Sequence, residues 1–174
     1  MMKRKILSIL LTLTMTLTLL PATAMAEDVK GVQCDGGDGC DHKVAAIYDG
    51  SAGENPGEYH YDTLQAAITN GTNDYYGNFK LLGDVKEDIV VGEGRIAGKY
   101  ITLDLNGHTI TNAKSDTITV QKRGKLTITG SGTVDNVTDG RAPIYNNGTC
   151  TLSGGNYTRS KEAADNTTTS SGGN

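Results

Sequence analysis

The sequence predicts an all-β fold, a right-handed single-stranded parallel β-helix (solenoid) with an N-terminal capping helix. Three observations predict it. Paired apolar residues recur as Leu103 and Leu105, Leu126 and Ile128, then Cys150 and Leu152, with steps of 23 and then 24 residues between equivalent positions. Self-similarity at a fixed period of roughly 20 to 50 residues is the signature of stacked repeats. A second series, Ile110, Val134 and Tyr157, steps by 24 and 23 residues. Each pair also lies in a strand-length alternation, such as Ile101-Thr102-Leu103-Asp104-Leu105 or Lys125-Leu126-Thr127-Ile128-Thr129, bounded by Asn-Gly, Arg-Gly or Gly-Ser-Gly turns. Finally, 23 Gly, one Phe and no Trp suit short strands and tight turns better than a helical core. A β-sandwich also has many short strands, but it predicts no match at a fixed longer period.

Residues 1–26 read as an export signal. Lys3, Arg4 and Lys5 form a basic start, Ile6 to Leu20 is apolar with interspersed Thr, and Pro21 precedes the small-residue site Ala24-Met25-Ala26. A bilayer span would need a longer apolar stretch, undiluted by Thr. Cleavage after Ala26 leaves 148 of the 174 residues, one ordinary domain, and takes the formal charge from −4 to −7. No basic stripe then remains to neutralise phosphates, which argues against nucleic acid or a membrane surface as partner.

Residues 27–43 form a polar, Gly-rich leader without periodicity. Outside the cytoplasm a disulfide between Cys34 and Cys40 is expected there, leaving Cys150 over. Cys34, Cys40 and His42 are three possible Zn²⁺ ligands, but a fourth is missing and the spacing fits no standard site. Gly36-Gly37-Asp38-Gly39-Cys40-Asp41 matches the start of a Ca²⁺-binding nonapeptide, yet it occurs once and Lys43 stands where an apolar residue belongs. No cofactor is expected.

Residues 44–78 hold a hairpin and the capping helix. Val44 to Tyr48 and Tyr59 to Tyr61 are β-prone runs around a turn-rich stretch. Asp62 or Thr63 can then cap a helix whose Leu64, Ala67 and Ile68 share a face, with Asn70-Gly71 as its stop. Such a helix can cover the unpaired first strand of a solenoid. Residues 79–158 are the coils, with Phe79 and Leu81 placed 22 residues before Ile101 and Leu103. This register stacks Leu81, Leu103, Leu126 and Cys150 inward, with Leu105, Ile128 and Leu152 beside them. Residues 159–174 lack apolar periodicity and read as a disordered Thr/Ser/Gly-rich tail.

The segments Val44-Ala45-Ala46-Ile47, His60 to Ile68, Leu81 to Val85, Leu103 to Ile110 and Leu126 to Gly132 together resemble large surface proteins of gut Gram-positive bacteria that carry a pectate-lyase-like β-helix. The resemblance covers about residues 44–157 and implies an adhesin-like or glycan-associated surface role without an assigned reaction. Those proteins usually continue for more coils or into cell-wall attachment modules, so the tail here fits a truncated product or gene fragment.

Cleavage of a polysaccharide needs clustered carboxylates, with or without Ca²⁺, and a base. The register above stacks Asp104 on Thr127 and Thr151, and Thr102 on Lys125 and Thr149, so no acidic cluster emerges. Asp84, Asp104, Asp116 and Asp135 are scattered. His108, in Asn106-Gly107-His108-Thr109, reads as a turn residue with no carboxylate near it, and His60 as structural. The expected function is therefore a secreted or cell-surface module, structural or adhesive, touching glycans or a host or cell-wall surface. Tyr75, Tyr76 and Tyr145 are the candidate platforms for sugar stacking. The alternative is a fragment of a carbohydrate-active lyase or hydrolase.

Overall fold

The computed structural model describes residues 41–48 and 57–161. Residues 1–40, where an export signal, a leader with Cys34 and Cys40 and most of a Ca²⁺-like nonapeptide are expected, and residues 162–174 lie outside the described residues. Among the described residues thirteen short strands follow one another, and most stack in parallel as a β-solenoid of about three turns. A coil that visits three sheets in turn repeats every few dozen residues, and each visit buries alternate side chains.

The first sheet stacks β3 (Tyr76–Leu81), β6 (Tyr100–Asp104), β9 (Lys125–Thr129) and β12 (Thr149–Leu152). The second stacks β4 (Val85–Lys86), β7 (Thr109–Thr111), β10 (Thr133–Asp135) and β13 (Asn156–Thr158). The third stacks β5 (Ile89–Val91), β8 (Ile118–Val120) and β11 (Ile144–Asn146). Inward Val, Ile and Leu from all three faces meet in one core that includes Phe79, Leu103, Leu105, Ile110, Ile118 and Ile128.

The period is right, and the expected register of the first sheet is off by two residues from β3 to β6 and from β6 to β9 but correct from β9 to β12. Phe79 pairs with Leu103, Leu103 with Ile128 and Ile128 with Leu152, while Ile101 pairs with Leu126 and Leu126 with Cys150. The steps are 24, 25 and 24 residues, so Leu103 does not lie against Leu126. A slip of two keeps every side chain on its face, because the strand period is two. Inward and outward assignments therefore survive while the outward columns change. Asp104 lies beside Lys80 and Thr129, and Thr102 lies between Asn78 and Thr127 in a column that continues to Thr151. The second series is as expected, with Ile110, Val134 and Tyr157 in register.

Where the third sheet turns into the first, Gly124 sits so close to the coil before it that a Cβ would lie 2.5 Å from the Val91 carbonyl oxygen. Gly148 repeats the arrangement one coil later against Gln121. Only glycine lets the backbones stack there.

At the N-terminal end β1 (Val44–Tyr48) pairs antiparallel with β3 and with β2 (Gly57–Tyr61), extending the first sheet by a hairpin. Helix α1 (Leu64–Asn70) follows. The Ala66 N–H donates to Thr63 Oγ1 at 3.2 Å, and Leu64, Ala67 and Ile68 are buried. The Glu87 carboxylate accepts the Leu64 and Gln65 N–H groups at 2.9 and 3.0 Å. Gln65 then imitates a neighbouring strand, since its Nε2 donates to the Val90 carbonyl at 3.2 Å and its Oε1 accepts the Val90 N–H at 2.7 Å. The edge of β5 is thus hydrogen-bonded by the helix.

The last coil differs. Leu152, expected inward beside Ile128, is 51% exposed although it continues the Leu103 and Ile128 column. It has a covered coil on one side and no strand on the other among the described residues.

Candidate ligand-binding face

Outward residues of the first sheet form columns along the solenoid axis. Tyr76, Tyr100, Lys125 and Thr149 make one column, and Asn78, Thr102, Thr127 and Thr151 the next. They project outward because Ile101, Leu103, Leu126 and Ile128 take the alternate, buried positions. Stacked strands bring column neighbours about 4.8 Å apart. Between the columns lies an open depression of about 330 Å³ lined by Tyr100, Thr102, Lys125, Thr127, Thr149 and Thr151.

Tyr100 dominates it. The residue is 62% exposed, and the Lys125 ammonium sits 4.1 Å from its ring centroid, a cation–π contact that restrains both side chains. Its backbone N–H donates to the carbonyl of Tyr75, itself 68% exposed, at 3.0 Å. Asn73 Oδ1 accepts the Tyr75 and Tyr76 N–H groups, both at 2.8 Å. An exposed ring beside stacked hydroxyls offers a sugar an apolar platform together with donors and acceptors.

Of the three tyrosines named from sequence, Tyr76 stands in the Tyr100 column and Tyr75 directly precedes β3. Tyr145, 50% exposed, lies on β11 in the third sheet and faces another direction. The sequence reading missed Tyr100 and Lys125. Aligning Tyr100-Ile101-Thr102 with Lys125-Leu126-Thr127 would have found them, and the two-residue slip hid that alignment.

The aspartates serve the backbone. Asp84 Oδ1 accepts the Thr109 N–H and Asp116 Oδ1 the Ala142 N–H, both at 2.8 Å, and Asp104 Oδ1 accepts the Asn106 N–H at 2.9 Å. Asp135 accepts from Thr158 and Ser160, with Ser160 Oγ at 2.6 Å. His108 has a carboxylate beside it after all. Its Nδ1 lies 3.6 Å from Asp84 Oδ1, because the turn carrying His108 stacks on the turn carrying Asp84.

Among the described residues no three His, Cys, Asp or Glu side chains converge to hold a metal ion, and no helix is long and apolar enough to cross a membrane. Cys150 is half-buried in the inward column, and burial pushes its thiol pKa up. The pair proposed for a disulfide, Cys34 and Cys40, falls outside the described residues.

The fold and this face together define a parallel β-solenoid module with one open polar and aromatic side. Comparison with protein-family models, with curated proteins and with solved structures finds no match to the chain.

Proposed function

We propose that this chain is a secreted or cell-surface module that binds glycans without cleaving them, through the outer face of its first sheet, on a right-handed coil of the pectate-lyase-like type. The observation that carries the reading is the juxtaposition of the exposed Tyr100 ring and Lys125 with the Thr102, Thr127 and Thr151 column. A pyranose stacks its apolar C–H face on an aromatic ring, and its hydroxyls exchange hydrogen bonds with threonine hydroxyls. Stacked coils repeat this offer along the axis, so a chain of sugars gains from each one. The export signal supports an extracellular place of action.

The alternative, a lyase or hydrolase fragment, requires a pair of carboxylates across a glycosidic bond or a metal-held uronate facing a base. Asp84, Asp104, Asp116 and Asp135 each accept backbone N–H groups instead, which speaks for binding alone. A glycan array probed with the mature chain, with and without Ca²⁺, tests the choice. Binding to one class of polysaccharide without release of reducing ends or unsaturated uronate is the expected result. Product release would establish the enzymatic alternative, and no binding to any glycan would remove the proposed role.

A further inference from the structure

The corner where the third sheet turns into the first gathers positive charge. Two successive coils pass through it, residues 92–99 between β5 and β6 and residues 121–124 between β8 and β9. The Gln121 N–H donates to the Val91 carbonyl at 2.8 Å and the Gly98 N–H to the Arg123 carbonyl at 2.9 Å, so the second passage lies on the first. Lys99, Lys122, Arg123 and Lys125 are thereby brought to one edge of the first sheet, although Lys99 and Arg123 are 24 residues apart in sequence. Glu93 and Arg95 offset each other on the first passage, and Asp74 is the carboxylate on the coil before. Four cations against Asp74 leave a local charge of about +3 on a chain whose formal charge is −4.

Among the described residues none of these four cations forms an ion pair. Lys99 Nζ donates to the Asn73 carbonyl at 2.6 Å, Lys125 Nζ stands 4.1 Å from the Tyr100 ring centroid, and Arg123 Nη2 lies 3.6 Å from where a Cβ on Gly98 would be. These contacts hold the side chains without cancelling their charge, and Lys122 and Arg123 are exposed. The next coil passes the corner as Asn147-Gly148 and brings no charge, so the cations border β6 and β9, the strands that carry Tyr100, Thr102 and Thr127. We propose that the ligand of this face is an anionic polysaccharide, whose carboxylate or sulfate groups sit on Lys99, Lys122, Arg123 and Lys125 while its sugar rings lie along Tyr100 and the threonines. The proposal rests on the glycan-binding reading of the first sheet and names its ligand class. An anionic group on a guanidinium or ammonium makes short, charge-assisted hydrogen bonds that a neutral hydroxyl does not. A local field of this sign also steers such a polymer to the face although the whole chain is acidic. Columns of threonine suit a sugar chain better than a single-stranded nucleic acid, which stacks successive bases on a series of aromatic rings.

Biolayer interferometry with the immobilised mature chain and matched polysaccharides tests this, alginate against its propylene glycol ester and dextran sulfate against dextran. The first pair reads carboxylate and the second sulfate. The expected result is binding of the anionic member of at least one pair, much weaker binding of its neutral partner, and loss of both at about 1 M salt, where charges are screened beyond roughly 3 Å. Lys122→Gln/Arg123→Gln, with unchanged far-UV circular dichroism, should weaken the binding by up to about fivefold for each charge removed. Equal binding of both members of a pair, or a double variant that binds as the parent does, would overturn the anionic class and leave glycan binding standing. Binding of none of the four polymers would overturn it too, and the glycan array then shows whether glycan binding fails with it. Equal binding of single-stranded DNA would replace the sugar ligand with any polyanion and likewise overturn the proposal.

Discussion

Asp88 joins one coil to the next. Its carboxylate accepts the N–H groups of Ala113, Lys114 and Ser115, with Ala113 at 2.8 Å. The same connection recurs at other corners, from Asp84 to Thr109, from Asn112 to Val137 and from Asp135 to Ser160, each 25 residues on. Burial raises the Asp88 pKa, but the N–H groups of Lys114, Ser115 and Ala113 outweigh it and hold the carboxyl below its ordinary 3.8. Asp135 behaves alike, its burial outweighed by Ser160 and Thr158. A pKa lowered in the folded state contributes stability that is complete well above 3.8 and is lost as pH falls through the folded value. Asp88→Ala removes the acceptor of three N–H groups, most of them within reach of water, and is expected to cost about 0.5–1.5 kcal/mol in urea unfolding at neutral pH. Melting curves of the variant should also fall less steeply than those of the parent once the pH drops below 4, about where free aspartate titrates. None of these links was legible in the sequence, because the partner of each carboxylate is a backbone N–H that leaves no residue pattern.

Strands pair here through columns of one inward residue per coil, and exposure along a column measures how much each coil is covered. Leu103 is 1% exposed and Ile128 is buried, whereas Leu152, third in that order, is 51% exposed. Leu103→Ala and Ile128→Ala are expected to cost about 2–5 kcal/mol each, since the rigid coils on both sides cannot close the cavity. Leu152→Ala should cost well under half of that, and Thr127→Ala, outward between two inward residues, about 0.5 kcal/mol or less. Chemical denaturation of the four variants checks the series, and equal losses at Leu103 and Leu152 would mean that the last coil is covered. The hairpin and helix were legible because Thr63, Leu64, Ala67, Ile68 and Gly71 carry local capping and periodicity signals. The register was not. Leu103-Asp104-Leu105, Leu126-Thr127-Ile128 and Ile101-Thr102-Leu103 are interchangeable at a two-residue slip, and only the three-dimensional pairing selects among them.

At the scale of the molecule, a solenoid presents its chemistry as faces, so residues distant in sequence act together when they share a column. Tyr76, Tyr100 and Lys125 are 24 and 25 residues apart and adjoin on one face. Sequence alone named Tyr75, Tyr76 and Tyr145 as candidate platforms without assigning them to faces, and β11 carries Tyr145 on another sheet than Tyr76. The solenoid shape was legible from the period. The face that carries Tyr100 and Lys125 depended on a register that two-fold alternation leaves ambiguous. Affinity electrophoresis of the mature chain through gels containing pectin, xylan or mucin glycans tests the glycan-binding role most directly, run beside Tyr100→Ala and Tyr145→Ala. Retardation of the parent chain in at least one gel, lost in Tyr100→Ala and kept in Tyr145→Ala, is the predicted result. Unretarded migration of the parent in every gel, or retardation that survives Tyr100→Ala, would contradict it.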